Sequence, residues 1–208
     1  PPLGLLGGPQ VMHSPGAPVY NRIFSRRGLP YRYLPVVTRR PTEALSLLQL
    51  LDFKGLTVTM PAKELFMGAV AGWLRPDDKR VGALNTMSLH NHGWYGANTD
   101  QDALTHLLVP WRGAEALVLG AGGAARAALS ALAKLDCKAT ICGRKTRRTE
   151  YLAQKYGATP AAWDARGEIP FKVLVNATPL GADGEGDPLP AGVDLTDAVV
   201  VDAVLLPS

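Results

Sequence analysis

The chain has 208 residues, of which 47% are hydrophobic and 19% are charged. That length and apolar content suffice for the core of one large domain or two smaller ones, and they exclude a disordered tail. No apolar run reaches the roughly 18 residues that a membrane-spanning helix needs. The net charge of +4 comes from short basic clusters that are typical of solvated surface, so nucleic-acid binding is not favoured.

Cysteine content and the amino terminus bear on the compartment. Cys137 and Cys142 cannot form a disulfide framework or a four-ligand zinc site. The start at Pro1 has no basic segment followed by an apolar stretch, as a secretory signal would. We therefore expect a cytoplasmic protein. His90 and His92 could suggest a metal, but a turn explains them and no third ligand is near in sequence, so we expect no metal site.

The first half of the chain alternates strand-like and helical stretches. We predict strands at 3–7, 31–37, 56–59, 86–89 and 94–96, and helices at 18–27 and 42–51. The segment His90–Gly93 predicts a hairpin turn between the last two strands, because Asn and Gly tolerate a positive φ. This pattern indicates an α/β domain.

The second half is more regular. We predict strands at 116–119, 139–142, 173–175 and 199–204, and helices at 124–135 and 146–156. These strands are continuously apolar, which is typical of a parallel sheet covered by helices on both faces. The pattern changes near residues 109–113. We therefore predict an N-terminal α/β substrate domain at 1–108 and a Rossmann-like, doubly wound parallel-sheet domain at 109–208.

A glycine-rich turn opens the second domain between a strand and a helix. It comprises Gly120, Ala121, Gly122, Gly123, Ala124 and Ala125, and fits G-x-G-x-x-G/A. Gly120 permits the tight turn, Gly122 lets the backbone approach a pyrophosphate, and Ala125 lets the helix pack closely on the strand. The helix N-terminus supplies amide donors for phosphate. The segment predicts a dinucleotide site.

The residues after the next strand indicate which dinucleotide binds. An NAD site usually has an acid there for the ribose 2′-hydroxyl, whereas this chain has Arg144, Lys145 and Arg148 and no acid. Guanidinium groups pair well with a 2′-phosphate, which favours NADP. The alternative is that these cations only cover the start of the following helix.

Three segments of the first domain, 55–63, 82–86 and 96–100, combine small or hydroxyl residues with one ionisable or amide group. Lys63 and Asp100 are the best acid/base pair, because a carbonyl that is reduced by hydride must also gain a proton. The alternative for the isolated residues is a surface lysine and a helix-capping aspartate.

Together these segments resemble the shikimate and quinate dehydrogenase family over residues 3 to 207. The matching motifs occur in the family's order: His13-Ser14, Asn21, V-T-x-P-x-K ending at Lys63, Gly82–Thr86, Asn98-Thr99-Asp100, Gly120–Ala124 and Asn176–Gly181. The resemblance implies NADP-linked interconversion of 3-dehydroshikimate and shikimate, or of quinate, in a cleft between two α/β domains, as in aromatic amino acid biosynthesis.

The resemblance also implies roles for single residues. Lys63 would be the acid/base residue with Asp100 as its partner in substrate binding, and Ser14, Thr59 and Asn85 would contact the substrate. Gly120 to Ala124 with Arg144, Lys145 and Arg148 would hold NADP, and Ala177 and Thr178 would line the nicotinamide side.

Three departures from the family pattern leave a second function open. Gly16 stands where the family has a second substrate-binding serine, Leu205 stands where it has a tyrosine, and the chain stops at Ser208 where relatives continue. The family fold also occurs in a fungal repressor of quinate utilisation and in fused polypeptides. The alternative is therefore an inactive or weak metabolite-sensing domain, cut from a larger protein.

Overall fold

The computed structural model describes residues 1–38, 40–182, 184 and 186–204. The chain forms two compact units, Pro1–Thr99 and Asp100–Ser208. The predicted junction at 108/109 lies one helix further along the chain and stays a prediction.

The first unit contains one mixed five-stranded sheet. Its strands are β1 (Pro2–Gly7), β2 (Arg32–Val37), β3 (Gly55–Val58), β4 (Thr86–His90) and β5 (Gly93–Ala97). They lie in the order β2-β1-β3-β4-β5; β1 is parallel to β2 and β3, and β4 is antiparallel to β3 and β5. The predicted hairpin is confirmed, since His90 pairs with Gly93 across the β4–β5 turn.

Helices cover this sheet because its apolar residues point alternately to two faces. The first-unit helices are α1 (Gly16–Arg26), α2 (Pro41–Leu50) and α3 (Pro76–Val81). On one face Leu6 and Val58 pack with Leu45 and Leu48, which lie three residues apart on α2. On the other face Leu5 packs in a smaller cluster with residues of α1 and β2.

The Asn21 side chain of α1 is hydrogen-bonded to the backbone of edge strand β2. The Asn21 amide donates to the Tyr33 carbonyl at 2.8 Å and accepts from the Tyr33 backbone N–H, also at 2.8 Å. Two residues further, Pro35 has no backbone N–H. The outward-facing backbone groups of Tyr33 are therefore satisfied within the unit.

The second unit contains a parallel five-stranded sheet. Its strands are β6 (Glu115–Leu119), β7 (Lys138–Cys142), β8 (Thr159–Ala161), β9 (Val173–Asn176) and β10 (Val199–Asp202). The strands lie in the order β10-β9-β6-β7-β8: the chain proceeds from β6 to β7 and β8 on one side and then crosses to β9 and β10 on the other side of β6. This is the pattern of a doubly wound nucleotide-binding fold. The predicted Rossmann-like fold class is confirmed.

Helices α4 (Thr99–Leu107), α5 (Gly123–Lys134) and α6 (Thr146–Tyr156) complete the fold. Ala128, Leu129 and Leu132 of α5 pack on Val118 and Ile141 at one face of the sheet. At the other face, Leu117, Leu119 and Leu174 pack under a segment that follows β8. Ala125, in the first turn of the alanine-rich α5, is fully buried, and its small side chain lets the helix pack closely on the sheet.

The predicted helices and strands are all present, within two residues of their predicted ends, but three α-helices or strands of the described residues were not predicted. These are α3, α4 and β8, each of which is short or polar. The apolar signal is weak in α3 because its sequence begins Pro-Asp-Asp, and β8 contains Pro160 at the sheet edge. Within the described part of the chain, no helix is long and apolar enough to cross a membrane.

Candidate functional site

The glycine turn after β6 is built by backbone geometry. Gly120 has φ +103°, and a Cβ at this position would lie 2.7 Å from the Ala177 carbonyl oxygen. Only glycine avoids both the strain and the collision. The Gly120 N–H donates to the Cys142 carbonyl at 2.7 Å. The structure therefore brings together the carboxyl ends of β6, β7 and β9, with Gly120 beside Ala177.

The next glycine leaves space rather than avoiding a contact. Gly122 is the N-cap of α5, has no side-chain cap, and would place a Cβ more than 4 Å from any atom outside its immediate chain neighbours. The half-buried residues Gly123 and Ala124 begin the helix there. Amide N–H groups at a helix start attract an anion, and this turn has the open space to admit one.

Basic side chains lie on the turn between β7 and α6. Arg144 and Lys145 are exposed, while Arg148 is half-buried and its Nε donates to the Ala121 carbonyl of the glycine turn. Arg148 therefore braces the turn, and Arg144 and Lys145 face solvent. The absence of an acid from residues 143–148 suits a phosphate better than a ribose hydroxyl.

The loop after β9 is held by one buried amide. Asn176 is 1% exposed, and its Oδ1 accepts from the Thr178 hydroxyl at 2.7 Å and from the Thr178 N–H at 3.1 Å. The Asn176 Nδ2 donates to Asp202 at the end of β10, at 3.0 Å. Ala177 and Thr178 are thereby held beside Gly120. Sequence reasoning noted Asn176 as part of a motif but did not assign it this role.

In the first unit, backbone hydrogen bonds seat two predicted segments side by side. The Val58 N–H donates to the Asn85 carbonyl at 2.7 Å, and the Leu84 N–H donates to the Lys63 carbonyl at 2.8 Å. Thr59 is joined to β1 through its N–H bond to Leu6 at 2.8 Å. These backbone hydrogen bonds bring the segments that contain Thr59, Lys63 and Asn85 together where β3 ends.

The Asn85 side chain is buried and organises the end of β5. Its Nδ2 donates to the Thr99 hydroxyl at 2.9 Å, and its Oδ1 accepts from the Thr99 N–H at 2.9 Å and from the Thr86 hydroxyl at 3.0 Å. Asp100 follows Thr99 and is half-buried in the first turn of α4. The pairing of Asp100 with Lys63 stays a prediction.

Ser14 lies at the end of the turn that follows β1. Its hydroxyl accepts a hydrogen bond from the Gly16 N–H at 3.2 Å. A Cβ on Gly16 would meet the Ser14 Oγ at 3.3 Å and the Tyr33 ring at 3.7 Å, so a serine at this position requires the Ser14 hydroxyl to shift by a few tenths of an ångström. Burial raises the pKa of the Tyr33 phenol, and a hydrogen bond with Thr57 opposes this more weakly.

Asp78 was not singled out by sequence reasoning. Its carboxylate is fully buried, accepts two hydrogen bonds from Arg75 and accepts a third from the Asn98 N–H. An acid in the first turn of a helix is ordinary in a sequence, because it suits the helix dipole. No local pattern distinguishes a carboxylate that is buried there from one that is exposed.

The two histidines of the β4–β5 turn contact neighbouring side chains of the same unit. His90 Nε2 lies 2.9 Å from the Ser88 hydroxyl, and the His92 ring stacks near Trp73. In the described ranges, no group of three or more histidine, cysteine, aspartate or glutamate residues could hold a metal ion. The departure at Leu205 lies outside the described residues.

The strand order, together with a glycine turn at its switch point, defines the class: a two-unit α/β protein with a dinucleotide-binding fold in its second half. Residues 6–87 match the family described as shikimate dehydrogenase substrate binding domain. The NADP(+)-dependent shikimate dehydrogenase of Anaeromyxobacter sp. strain K is 36% identical over 215 residues, covering 97% of this chain and 77% of the relative.

Solved structures give the same result. Shikimate dehydrogenase from Aquifex aeolicus is 30% identical with a TM-score of 0.83, covering 97% of this chain and 77% of that one. Shikimate 5-dehydrogenase from Thermus thermophilus, in complex with NADP(H) and shikimate, is 30% identical with a TM-score of 0.82, covering 98% and 78%. The chain belongs to the shikimate dehydrogenase family, and it spans about three quarters of the length of these relatives.

Proposed function

We propose that this protein is an NADP-dependent oxidoreductase that interconverts 3-dehydroshikimate and shikimate. The observation that carries the proposal is the pair of backbone hydrogen bonds that seats Lys63 and Asn85 on one sheet edge. The relative from Thermus thermophilus, which has the same fold, was solved with NADP(H) and shikimate. A reducing cytoplasm is the proposed compartment, because Cys137 and Cys142 are both free thiols.

Residues of the first unit bind the substrate, and residues of the second unit would bind the cofactor. Ser14, Thr59 and Asn85 bind and orient the substrate, and the Lys63 ammonium gives a proton to the substrate oxygen during reduction or takes it back as the amine during oxidation. Asp100 is the proposed partner of Lys63 in this role. NADP, when bound, supplies or accepts the hydride.

The cofactor would be held by the second unit. The turn Gly120–Ala124 and the start of α5 would bind the pyrophosphate, while Ala177 and Thr178 would line the nicotinamide side. Arg144 and Lys145 would pair with the 2′-phosphate. Because Arg148 donates to the Ala121 carbonyl, we assign it a bracing role as well as proximity to the phosphate.

The direct test is to mix purified protein with shikimate and NADP⁺ and to follow the absorbance of NADPH. Lys63→Ala should lower kcat by about 10²- to 10⁴-fold, because a positioned general acid/base contributes that much. The matched control is Lys54→Ala in the same unit, which removes an exposed lysine paired with Asp52. Unchanged turnover in Lys63→Ala would refute the assigned mechanism.

Cofactor choice has its own test. Arg144→Ala should weaken NADP⁺ binding about tenfold and leave NAD⁺ binding unchanged, because a hydrogen bond to a charged group is worth about 1.5–3 kcal/mol. Arg148→Ala should weaken both cofactors, since it loosens the glycine turn that both share. Equal losses for both cofactors in Arg144→Ala would remove the argument for NADP.

A second candidate function is metabolite sensing without turnover. The observation that favours it is Gly16, which lacks the hydroxyl of the second substrate-binding serine in the family pattern. Calorimetry with shikimate and with quinate distinguishes the two functions. Binding of either metabolite in a preparation that shows no NADPH formation would support the sensor and refute the enzyme.

A further inference from the structure

An ion pair between a buried carboxylate and a half-exposed guanidinium lies next to the end of β5. The Asp78 side chain is 0% exposed, whereas the Arg75 side chain is 53% exposed. Arg75 Nε lies 2.7 Å from Asp78 Oδ2, and Arg75 Nη2 lies 3.0 Å from Oδ1. This two-point pairing compensates a carboxylate that has lost all contact with water, and it orients both carboxylate oxygens.

The same carboxylate holds the chain at Asn98. Asp78 Oδ1 accepts the Asn98 N–H at 2.9 Å, and the Asn98 side chain, itself fully buried, donates to the Ala83 carbonyl at 2.8 Å. Backbone and side chain of Asn98 are therefore fastened to α3 and to the segment that follows it. These bonds span twenty and fifteen positions of the sequence.

The next residue is fastened in the same way. The Thr99 N–H donates to Asn85 Oδ1 at 2.9 Å, so two successive backbone N–H groups are bound by buried side-chain oxygens. Such N–H groups at the start of a helix have no partner within the helix itself. Asp78 and Asn85 thus hold the backbone of Asn98 and Thr99, the two residues that directly precede Asp100 at the start of α4.

We propose that Asp78 is a positioning residue for the reaction: it fixes Asn98 and thereby the placement of Asp100 at the start of α4. This inference rests on the proposed function, because Asp100 matters only if it works with Lys63. A role limited to folding would lower stability without altering the turnover of the folded protein. A positioning role lowers kcat in protein that is folded and still binds the cofactor.

The experiment compares the full chain with Asp78→Ala and Asp78→Asn. Asp78→Ala should lower kcat for shikimate oxidation at least about tenfold, because small displacements of reacting groups are costly, and should leave the Kd for NADP⁺ within about twofold. The Asn98 amide proton, followed by NMR hydrogen exchange, should exchange at least about tenfold faster. Asp78→Asn keeps an oxygen for the Asn98 N–H and should recover part of both losses.

The matched control is Asp77→Asn, which removes the same charge one position earlier on α3. It should retain the kcat of the unaltered chain.

The inference is overturned if folded Asp78→Ala keeps the unaltered kcat, or if kcat and NADP⁺ binding fall together with the folded fraction. Should Asp78→Ala not fold, Asp78→Asn decides: faster Asn98 exchange with unchanged kcat overturns the inference, and a parallel change supports it. An unaltered chain without activity refutes the proposed function instead, and the exchange measurement still reports on Asp78.

Discussion

The two units place their candidate functional residues at the same kind of edge, where the strands of a five-stranded sheet end, but they hold them by different means. In the second unit the turn at Gly120–Gly122 is formed by backbone geometry and requires that its glycines carry no side chain. In the first unit Asn85 and Asp78 hold the edge through side-chain hydrogen bonds. A backbone site tolerates few substitutions at its glycines, whereas a side-chain site can be altered by single atoms.

The largest expected effect is at the backbone site. Gly120→Ala should lower the free energy of unfolding of the second unit by about 3 kcal/mol, because a Cβ would collide with the Ala177 carbonyl at a positive φ. The matched substitution Gly122→Ala meets open space and should leave the unfolding free energy within about 0.5 kcal/mol while weakening NADP⁺ binding. Urea unfolding and calorimetry measure the two quantities. Equal destabilisation by both substitutions would contradict the distinction between a strained glycine and an open one.

The corresponding substitution in the first unit is Asn85→Ala. It removes the side-chain amide that binds both the hydroxyl and the N–H of Thr99. The free energy of unfolding should fall by about 2 kcal/mol, because the Thr99 N–H loses its acceptor. Asn85→Asp keeps the acceptor oxygen and should cost about half as much. Urea unfolding of the two variants provides the measurement. If Asn85→Asp were as costly as Asn85→Ala, the Thr99 N–H bond would not be the one that holds the edge.

Adding a hydroxyl at residue 16 of the first unit should improve substrate binding. Gly16→Ser should lower the KM for shikimate about tenfold by supplying the hydroxyl that the family pattern expects, since a hydrogen bond to a charged group is worth about 1.5–3 kcal/mol. Gly16→Ala fills the same space without the hydroxyl and should give no gain. Steady-state kinetics of the two variants decide this, and an equal gain from alanine would assign the effect to packing or to helix propensity.

The smallest expected effect is a pH dependence at the end of β7. Burial raises the pKa of the Cys142 thiol, and Arg166 opposes this more weakly. The unfolded thiol ionises near pH 8.5 while the folded thiol stays neutral, so this contribution to stability is complete below about pH 8.5 and is lost as the pH rises through the folded pKa. Cys142→Ala should flatten the decline in unfolding free energy above pH 8.5. An unchanged decline in Cys142→Ala would contradict this assignment.

The same contrast explains how much the sequence could predict. The glycine turn, its strand and its helix are contiguous, so spacing alone located Gly120, Gly122 and Ala125. Lys63 and Asn85 were found because they lie in motifs that resemble a family. Asp78 was missed because its partner Asn98 lies twenty positions away and nothing local marks it as buried.

Short elements were missed for a related reason. Periodicity needs several turns to become visible, and α3 has six residues. In α4 the Gln101 side chain is buried and accepts the Ser130 hydroxyl at 2.9 Å, so a polar residue occupies a core position. A pattern based on apolar spacing cannot identify such a helix, because hydrogen bonding replaces apolar packing there.

The bond between Asn21 and Tyr33 has a consequence for the behaviour of the protein in concentrated solution. β2 is an edge strand with exposed Leu34 and Val37, and such edges recruit strands from other molecules. The Asn21 amide occupies the outward donor and acceptor of Tyr33, and Pro35 offers no donor. An intruding strand would find no continuous ladder to join. The amide and the proline protect this unit against edge-to-edge aggregation, and loss of the amide would leave only Pro35 as a barrier.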